Sequence, residues 1–389
     1  MTRPVADRSS LPALIVAGEA SGDAHAAALA ARVRQLTPVE WFGVGGDHMA
    51  AAGVEVVIHA RELSLLGIFE LIRHLPRLYG IERRLRAEIK RRRPRFAVLV
   101  DMPGINLRLS NFLRRRGIPV LYFIAPQLWA WRPWRVRFLQ RNVRKLLCLF
   151  PFEEEWFRSR GVEVEVVGHP LVDSARPSLT REAFLLRHGL NPETPTVCLM
   201  PGSRNQEITR HLPVLLAAAL ELARKRPLQF VLVQAATVDP ALVREHLRRT
   251  PQLSLTVVAN DPYNALAAAD LAVISSGTAT VEALLLGTPM VVVYRVAAAS
   301  WWAGKLLVNA PHYSMVNWIA EKRLVPELIQ NDCTPERVAA EVERLLSDAD
   351  GRRRIQEGLR ALRARLGPPG AIERAARAVL QAVGLGAEA

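Results

Sequence analysis

The chain has 389 residues, half of them hydrophobic, and a formal net charge of +15 at pH 7. This length predicts two domains, and the composition excludes a largely disordered chain. No run of 18 or more apolar residues occurs, so the sequence excludes a hydrophobic helix that spans a bilayer. The first residues lack the pattern of a signal peptide.

The basic excess lies mainly in the first 175 residues and favours partners that carry phosphate. Nucleotides, nucleic acids and anionic membrane surfaces all satisfy it, and so does a solvated basic surface without a partner. The cysteines Cys148, Cys198 and Cys333 lie far apart, without the spacing of a metal site. We therefore expect a protein of a reducing compartment, the cytoplasm, without a bound metal.

Short apolar runs alternate with helical periods along the first half of the chain. Two of the helical stretches cover residues 24–35 and 79–93. The apolar runs predict six strands, at residues 14–17, 41–44, 96–100, 120–124, 145–150 and 164–167. This alternation is typical of a parallel, doubly wound sheet.

The turns after these strands carry polar residues that suit a binding site. Gly18 and Ser21 lie after the first strand, and Asp101 follows the third. An Asp at the carboxyl end of a strand is a candidate general base, although a simple turn cap also fits the pattern. The alternatives for the base are Glu19, Asp23 and His169.

Two segments of the first half combine apolar and basic residues. Residues 63–79 predict an amphipathic helix, and a cluster of arginines follows it. Such a face suits an anionic membrane surface or an acyl chain, but core packing explains the periodicity as well. Residues 126–141 are rich in Trp and Arg, which favours packing beside a cleft, then a lipid phosphate site, then nucleic-acid stacking.

The second half restarts the alternation of strands and helices after residue 195. The predicted strands cover residues 196–200, 229–233, 255–258, 271–274 and 290–294. The two series therefore predict two Rossmann-like domains that face each other across a cleft. We place the domains at residues 1–173 and 174–365, with residues 366–389 packing back on the first.

The turn at residues 201–207 has the composition of an anion site. Gly202 permits a tight turn, Ser203 follows it, and Arg204 is placed to neutralise a pyrophosphate, with Glu207 nearby. No Lys follows at the Walker A spacing, which argues against a P-loop ATPase. An arginine that only caps the loop is the alternative.

The segment at residues 274–282 is the strongest local signal. A strand ends in small hydroxyl and glycine residues where a helix begins, which favours a diphosphate site, although ordinary N-capping explains one of the hydroxyls. Glu282 lies one turn into that helix, where a carboxylate can accept hydrogen bonds from ribose. The small residues are Ser275, Ser276, Gly277 and Thr278.

At these motifs the sequence resembles the lipid-A-disaccharide synthases, and the resemblance runs from about residue 14 to residue 383. The matching motifs lie at residues 16–23, 43–46, 66–68, 101–106, 129–132, 151–153, 168–170, 201–207 and 276–282. The resemblance implies a GT-B glycosyltransferase that needs no cofactor. It would condense UDP-2,3-diacylglucosamine with 2,3-diacylglucosamine 1-phosphate into a β-1,6-linked disaccharide 1-phosphate, with release of UDP.

The resemblance also implies roles for individual residues. Asp101 matches an essential Asp, Arg204 a critical Arg, and Asn317 an Asn near the substrate site. It further implies attachment to the cytosolic face of the inner membrane and homodimers that exchange C-terminal segments. The implied membrane patch consists of Leu65, Leu66, Ile68, Phe69 and Ile72.

Three positions depart from the family pattern. Val316 stands where Pro is usual, which makes the role of Asn317 less secure. Ile105 stands where Phe is frequent and Ala125 where Ser is common, and both changes bear on the fit of an acyl chain.

Two other classes of function remain open from the residues. A UDP-N-acetylglucosamine 2-epimerase has the same two-domain logic and the same nucleotide, but it needs no lipid surface. A binding module without catalysis would use the basic first half, but it leaves Asp101 and the segment at residues 274–282 unexplained.

Overall fold

A computed structural model describes residues 11–64, 75–129, 133–298, 301 and 311–386. The described residues form two compact units. The N-terminal unit takes residues up to 170 together with those from 366 onward, and the C-terminal unit consists of residues 171–365.

The N-terminal unit is built on a seven-stranded parallel sheet with the strand order β3-β2-β1-β4-β5-β6-β7. The strands are β1 (Leu11–Val16), β2 (Val39–Gly45), β3 (Glu55–His59), β4 (Ala97–Val100), β5 (Val120–Phe123), β6 (Lys145–Cys148) and β7 (Val164–Val166). Its helices include α1 (Ala20–Leu36), α2 (Asp47–Ala51), α3 (Arg61–Ser64), α4 (Leu75–Arg92), α5 (Pro103–Arg114), α6 (Val136–Asn142) and α7 (Pro151–Arg158). The order reverses at β1 and β4, where such sheets bind ligands.

The C-terminal unit repeats this plan with a six-stranded parallel sheet in the order β10-β9-β8-β11-β12-β13. Its strands are β8 (Thr196–Met200), β9 (Gln229–Gln234), β10 (Thr256–Ala259), β11 (Leu271–Ser275), β12 (Met290–Tyr294) and β13 (Glu327–Ile329). Its helices include α8 (Leu171–Ser174), α9 (Arg181–Arg187), α10 (Asn205–Lys225), α11 (Pro240–Arg248), α12 (Pro262–Ala268), α13 (Thr278–Leu286), α14 (Met315–Ala320), α15 (Pro335–Ser347) and α16 (Ala349–Arg363).

The central strands are buried along their whole length. Every residue of β4 and of β11 is buried, because a parallel sheet is covered by helices on both faces. The central strands therefore read as nearly continuous apolar runs, and most polar residues of this region lie in the turns at their carboxyl ends.

The chain returns to the N-terminal unit through its last helix, α17 (Ala371–Ala382). This helix packs against α1, and an ion pair joins Glu373 to Arg32. Its buried face is formed by Ala371, Ala375, Ala376, Ala378, Val379 and Leu380.

All eleven predicted strands overlap observed strands, and the prediction of parallel, doubly wound sheets is confirmed. Strands β3 and β13 are absent from the prediction. Both are short edge strands that begin or end with a polar residue, so they lack the apolar run that marks the buried strands.

Candidate active site

Strained backbone follows two neighbouring strands of the N-terminal unit. Asp101 and Met102, directly after β4, both have φ of +47°, and Ile124, directly after β5, has φ of +65°. Residues other than glycine rarely adopt these angles, and such residues concentrate at functional sites. The candidate base therefore lies in an unusual turn at the carboxyl edge of the sheet.

Two buried side chains hold this Asp101 turn (residues 101–102). Tyr122 Oη donates to the Asp101 carbonyl at 2.5 Å, and Asn106 Nδ2 donates to the same oxygen at 2.8 Å. Burial raises the pKa of Tyr122 well above its usual value, so its hydroxyl stays protonated and can donate. The backbone at Asp101 is fixed by contacts from a strand and a helix.

The turn after β1 lies beside the Asp101 turn, because β1 and β4 are neighbours. Gly18 is buried, and Glu19 and Ser21 are half-buried at the start of α1. Asp23 has a structural role in this part of the site. Its carboxylate is buried and accepts the backbone N–H groups of residues 46, 48 and 49 at 2.6, 3.0 and 3.3 Å.

Two buried histidines lie further along the same unit. The ring centroids of His25 and His169 are 6.1 Å apart, and Phe150 packs 5.6 Å from His169. Burial lowers the pKa of His25 to about 4 and that of His169 to about 3. Both rings are therefore neutral at pH 7 and are weak proton acceptors.

Glu153 is a buried carboxyl at the start of α7. It accepts Trp129 Nε1 and the backbone N–H groups of Leu149 and Phe150, each at 3.2 Å. These hydrogen bonds favour the charged form, but burial outweighs them and raises the pKa of Glu153 to about 7. The side chain ties the Trp129 indole to the turn after β6.

A narrow apolar cavity lies beside the Asp101 turn. It is bounded by the carboxyl ends of β1 and β2 and by helices α4 and α5. Its apolar lining consists of Val16, Val44, Ile81, Leu85, Met102, Ile105 and Leu109, and Glu82 and Arg108 supply polar groups.

In the C-terminal unit, the turn after β8 is organised by Glu207. This carboxylate accepts the backbone N–H of Ser203 at 2.8 Å and Nη1 of Arg204 at 2.7 Å. Gly202 has φ of +135°, and a Cβ there would lie 2.3 Å from Glu207 Oε2. Only glycine fits, so Gly202, Glu207 and Arg204 form one unit, which we call the Arg204 turn (residues 201–204).

His211 fastens the Arg204 turn to the end of β12. Its Nε2 accepts the backbone N–H of Arg295 at 2.8 Å, and its Nδ1 lies 2.7 Å from the Pro201 carbonyl. Because Nε2 is an acceptor, the proton is on Nδ1, which donates to Pro201. The ring is fully buried, and burial lowers its pKa.

The Gly277 loop (residues 275–278) runs from the last residue of β11 to the first residue of α13. Gly277 has φ of +156° and ψ of −161°, a backbone conformation almost restricted to glycine. Apart from its two chain neighbours and its own helix, none of the described residues has an atom within 4 Å of where its Cβ would stand. Thr278 begins the helix. The Ser275 hydroxyl is buried and has no hydrogen-bond partner among the described residues. Because β8 and β11 are neighbours, this loop lies beside the Arg204 turn.

Glu282 lies one turn into α13, as the sequence predicts. Burial raises the pKa of its carboxyl to about 7, although the residue is not fully enclosed.

Asn317 is fully buried in the C-terminal unit. Its Nδ2 donates to Val325 O and to Glu327 Oε1, both at 2.9 Å. Its Oδ1 accepts the backbone N–H groups of Leu324 and Val325 at 2.8 and 2.9 Å. Both amide hydrogens and both lone-pair positions are therefore used by the protein itself.

One part of the predicted site lies outside the described residues, namely the membrane patch of Leu65, Leu66, Ile68, Phe69 and Ile72. Within the described ranges, no helix is long and apolar enough to cross a membrane. Over the same ranges, no group of three or more His, Cys, Asp or Glu side chains could hold a metal ion.

The motifs of both units fall within one protein family. A family model described as Lipid-A-disaccharide synthetase matches residues 13–381. The chain belongs to this family. The Lipid-A-disaccharide synthase of Solibacter usitatus (strain Ellin6076) is 44% identical over 368 residues, which are 94% of this chain and 96% of the relative. The predicted resemblance, and with it an enzyme of lipid A disaccharide synthesis, is confirmed at the level of the family.

Solved structures with low sequence identity share the fold. A calicheamicin glycosyltransferase is 19% identical with a TM-score of 0.59, covering 97% of this chain and 99% of that one. The UDP-GlcNAc 2-epimerase from Neisseria meningitidis, bound to UDP-GlcNAc, is 10% identical with a TM-score of 0.62, covering 96% and 100%. These likenesses confirm the predicted GT-B fold class and carry no further argument about activity.

Three residues that shape these turns are not predictable from the sequence: Tyr122, His211 and Glu327. Each acts on a turn that lies far from it in the chain or on another element, so no local motif marks it. The only local signal is a polar residue inside an otherwise apolar period, which is frequent on solvated faces as well.

Proposed function

We propose that the protein condenses UDP-2,3-diacylglucosamine with 2,3-diacylglucosamine 1-phosphate, giving the β-1,6-linked disaccharide 1-phosphate and UDP. The family match over residues 13–381 is the observation that carries this proposal, because it includes the polar turns of both units. The chemistry of those turns supports separate roles for the two units.

The C-terminal unit supplies the donor site in this proposal. The first N–H groups of α13 suit a diphosphate, and the glycine at position 277 leaves room for it to approach the backbone. The Arg204 turn lies beside this loop and adds a guanidinium that can stabilise the departing UDP. Glu282 accepts hydrogen bonds from the ribose hydroxyls when it is ionised.

The N-terminal unit supplies the base. Asp101 takes the proton of the acceptor 6-hydroxyl, the oxygen attacks the anomeric carbon, and the bond from that carbon to UDP breaks. Inverting transfer needs one such base and no enzyme nucleophile. The alternatives are less suitable, because Asp23 is engaged by three backbone N–H groups and His169 has a pKa of about 3.

The apolar cavity beside the Asp101 turn supports an acylated acceptor. Its lining is mainly aliphatic, which suits an acyl chain. Ile105 lies in this lining, so its departure from the family pattern bears on chain fit. The basic excess of the first 175 residues suits attachment to an anionic surface, which we propose to be the cytosolic face of the inner membrane.

The test is a direct assay with both lipids in detergent and without added metal, followed by mass spectrometry of UDP and the disaccharide. We expect UDP release that depends on the acceptor. Asp101→Asn should lower kcat by about 10²–10⁴-fold and leave UDP binding intact, because it removes only the base. Asp350→Asn, on the exposed surface of α16, is the matched control and should keep full activity.

Two results would contradict the proposal. UDP binding without formation of any disaccharide would show that the proposed lipid substrates are wrong. The next measurement would then be 2-epimerisation of UDP-N-acetylglucosamine, followed by NMR. A folded Asp101→Asn protein with wild-type turnover would remove Asp101 from the role of base.

A further inference from the structure

Glu327 is a buried carboxylate on the edge strand β13 that the proposed chemistry does not use. It accepts the backbone N–H of Ser314 at 2.8 Å and that of Tyr313 at 3.1 Å, and Asn317 Nδ2 at 2.9 Å. These donors all lie around the start of α14. The carboxylate therefore fixes the backbone at residues 313–314.

The Tyr313 carbonyl carries this constraint to the Gly277 loop. It accepts the hydroxyl of Ser276 at 2.5 Å, while the backbone N–H of Ser276 donates to Val293 O at 2.9 Å. With its proton committed to Tyr313, the Ser276 hydroxyl cannot also donate to a phosphate. Its contribution is to hold the loop, so that the N–H groups at the start of α13 keep their direction.

We propose that Glu327 is a positioning residue for the donor diphosphate and acts through Tyr313 and Ser276. This inference rests on the proposed function, because it assumes that UDP binds at the Gly277 loop. Asn317 belongs to the same hydrogen-bond network. Its amide joins Glu327 to residues 324–325, and its polar atoms are all engaged within the protein.

A double-mutant cycle on UDP affinity tests this chain of contacts. Glu327→Gln and Ser276→Ala each break one link, and each should weaken UDP binding by about 10-fold in calorimetry. Because both act on one path, the double variant should also be about 10-fold weaker, whereas independent sites would give about 100-fold. The KM for the UDP-sugar should rise and the KM for the acceptor should stay unchanged.

Controls separate positioning from loss of structure. Glu357→Gln, an exposed glutamate of α16, should bind UDP as the wild type does. Ser276→Thr keeps the hydroxyl and should restore the affinity lost in Ser276→Ala. Circular dichroism establishes which variants are folded. If Glu327→Gln does not fold, the variants Ser276→Ala and Ser276→Thr still test the inference. An unchanged UDP affinity in Ser276→Ala would overturn it.

The outcomes also distinguish this inference from the proposed function. Additive effects in the double variant, with disaccharide still formed by the wild type, would overturn only the role of Glu327. A wild-type protein that does not bind UDP would overturn both.

Discussion

At neutral pH the carboxyl of Glu282 is divided between its protonated and ionised forms, because burial raises its pKa to about 7. A ribose hydroxyl donates to the ionised form, so binding should draw the carboxyl toward ionisation. Carboxyls with strongly shifted pKa values concentrate at functional sites, and this one gives the proposed donor site a measurable signature.

UDP affinity should therefore rise with pH. The ionised fraction of a group with a pKa of about 7 increases about 10-fold from pH 6 to pH 8, so the dissociation constant should fall by up to about the same factor. Above pH 8 it should be constant. Calorimetric titration at several pH values measures this.

The UDP phosphate itself titrates near pH 6, so Glu282→Gln is the necessary control. It should remove the dependence on Glu282 and leave only the part that belongs to the phosphate. Identical pH profiles for the variant and the wild type would exclude Glu282 from the nucleotide site.

At the scale of elements, the conformation of the Arg204 turn depends on a single glycine. Gly202→Ala would place a methyl group 2.3 Å from Glu207 Oε2 at a positive φ. Glu207 would have to move and release Arg204, so we expect the donor KM to rise by about 10-fold, with a loss of stability of about 1–3 kcal/mol. Steady-state kinetics and chemical unfolding measure the two effects.

Gly80→Ala is the matched control for this substitution. Gly80 lies inside α4, and outside this helix none of the described residues has an atom within 4 Å of where its Cβ would stand. This alanine should stabilise the protein by about 0.5–1 kcal/mol and leave the donor KM unchanged. A Gly202→Ala enzyme that behaves in the same way would show that the Arg204 turn tolerates a side chain.

His211 links the Arg204 turn to the end of β12, and three substitutions of this residue should lower the stability of the protein to different extents. His211→Leu leaves the Pro201 carbonyl and the Arg295 N–H without this partner in a buried setting, which should cost about 2–4 kcal/mol. His211→Asn can replace the bond to Pro201, and His211→Gln the bond to Arg295, so each should lose less. Unfolding in denaturant ranks the three, and equal stability of the leucine variant and the wild type would refute the link.

The sequence predicts the buried strands, but it does not predict turns whose shape depends on residues distant in the chain. Buried strands such as β4 and β11 are visible as apolar runs, and the glycine and hydroxyl residues after β11 announce a helix start. The left-handed backbone at Asp101 is not visible, because Tyr122 on a neighbouring strand helps to hold it. His211 contacts Arg295 across 84 residues, and no local pattern encodes that pairing.

At the scale of the whole chain, the last helix is held to the N-terminal unit by specific hydrogen bonds. Arg374 of α17 donates to three backbone carbonyls, at 3.0 Å to Val167 and at 2.7 Å to both Pro368 and Pro369. The His169 N–H donates to Leu366 O at 2.9 Å. The turn after β7 is therefore completed by residues about 200 positions later in the chain.

Arg374→Ala should loosen this turn. Three carbonyls lose a charged donor but can reach water in part, so we expect a loss of about 1–2 kcal/mol in the free energy of unfolding. Amide hydrogen exchange should increase at residues 164–170. Arg377→Ala, on the exposed side of the same helix, breaks only an ion pair with Glu373 and should cost less than about 0.5 kcal/mol. Equal losses in the two variants would mean that the C-terminal helix is held by its apolar face alone.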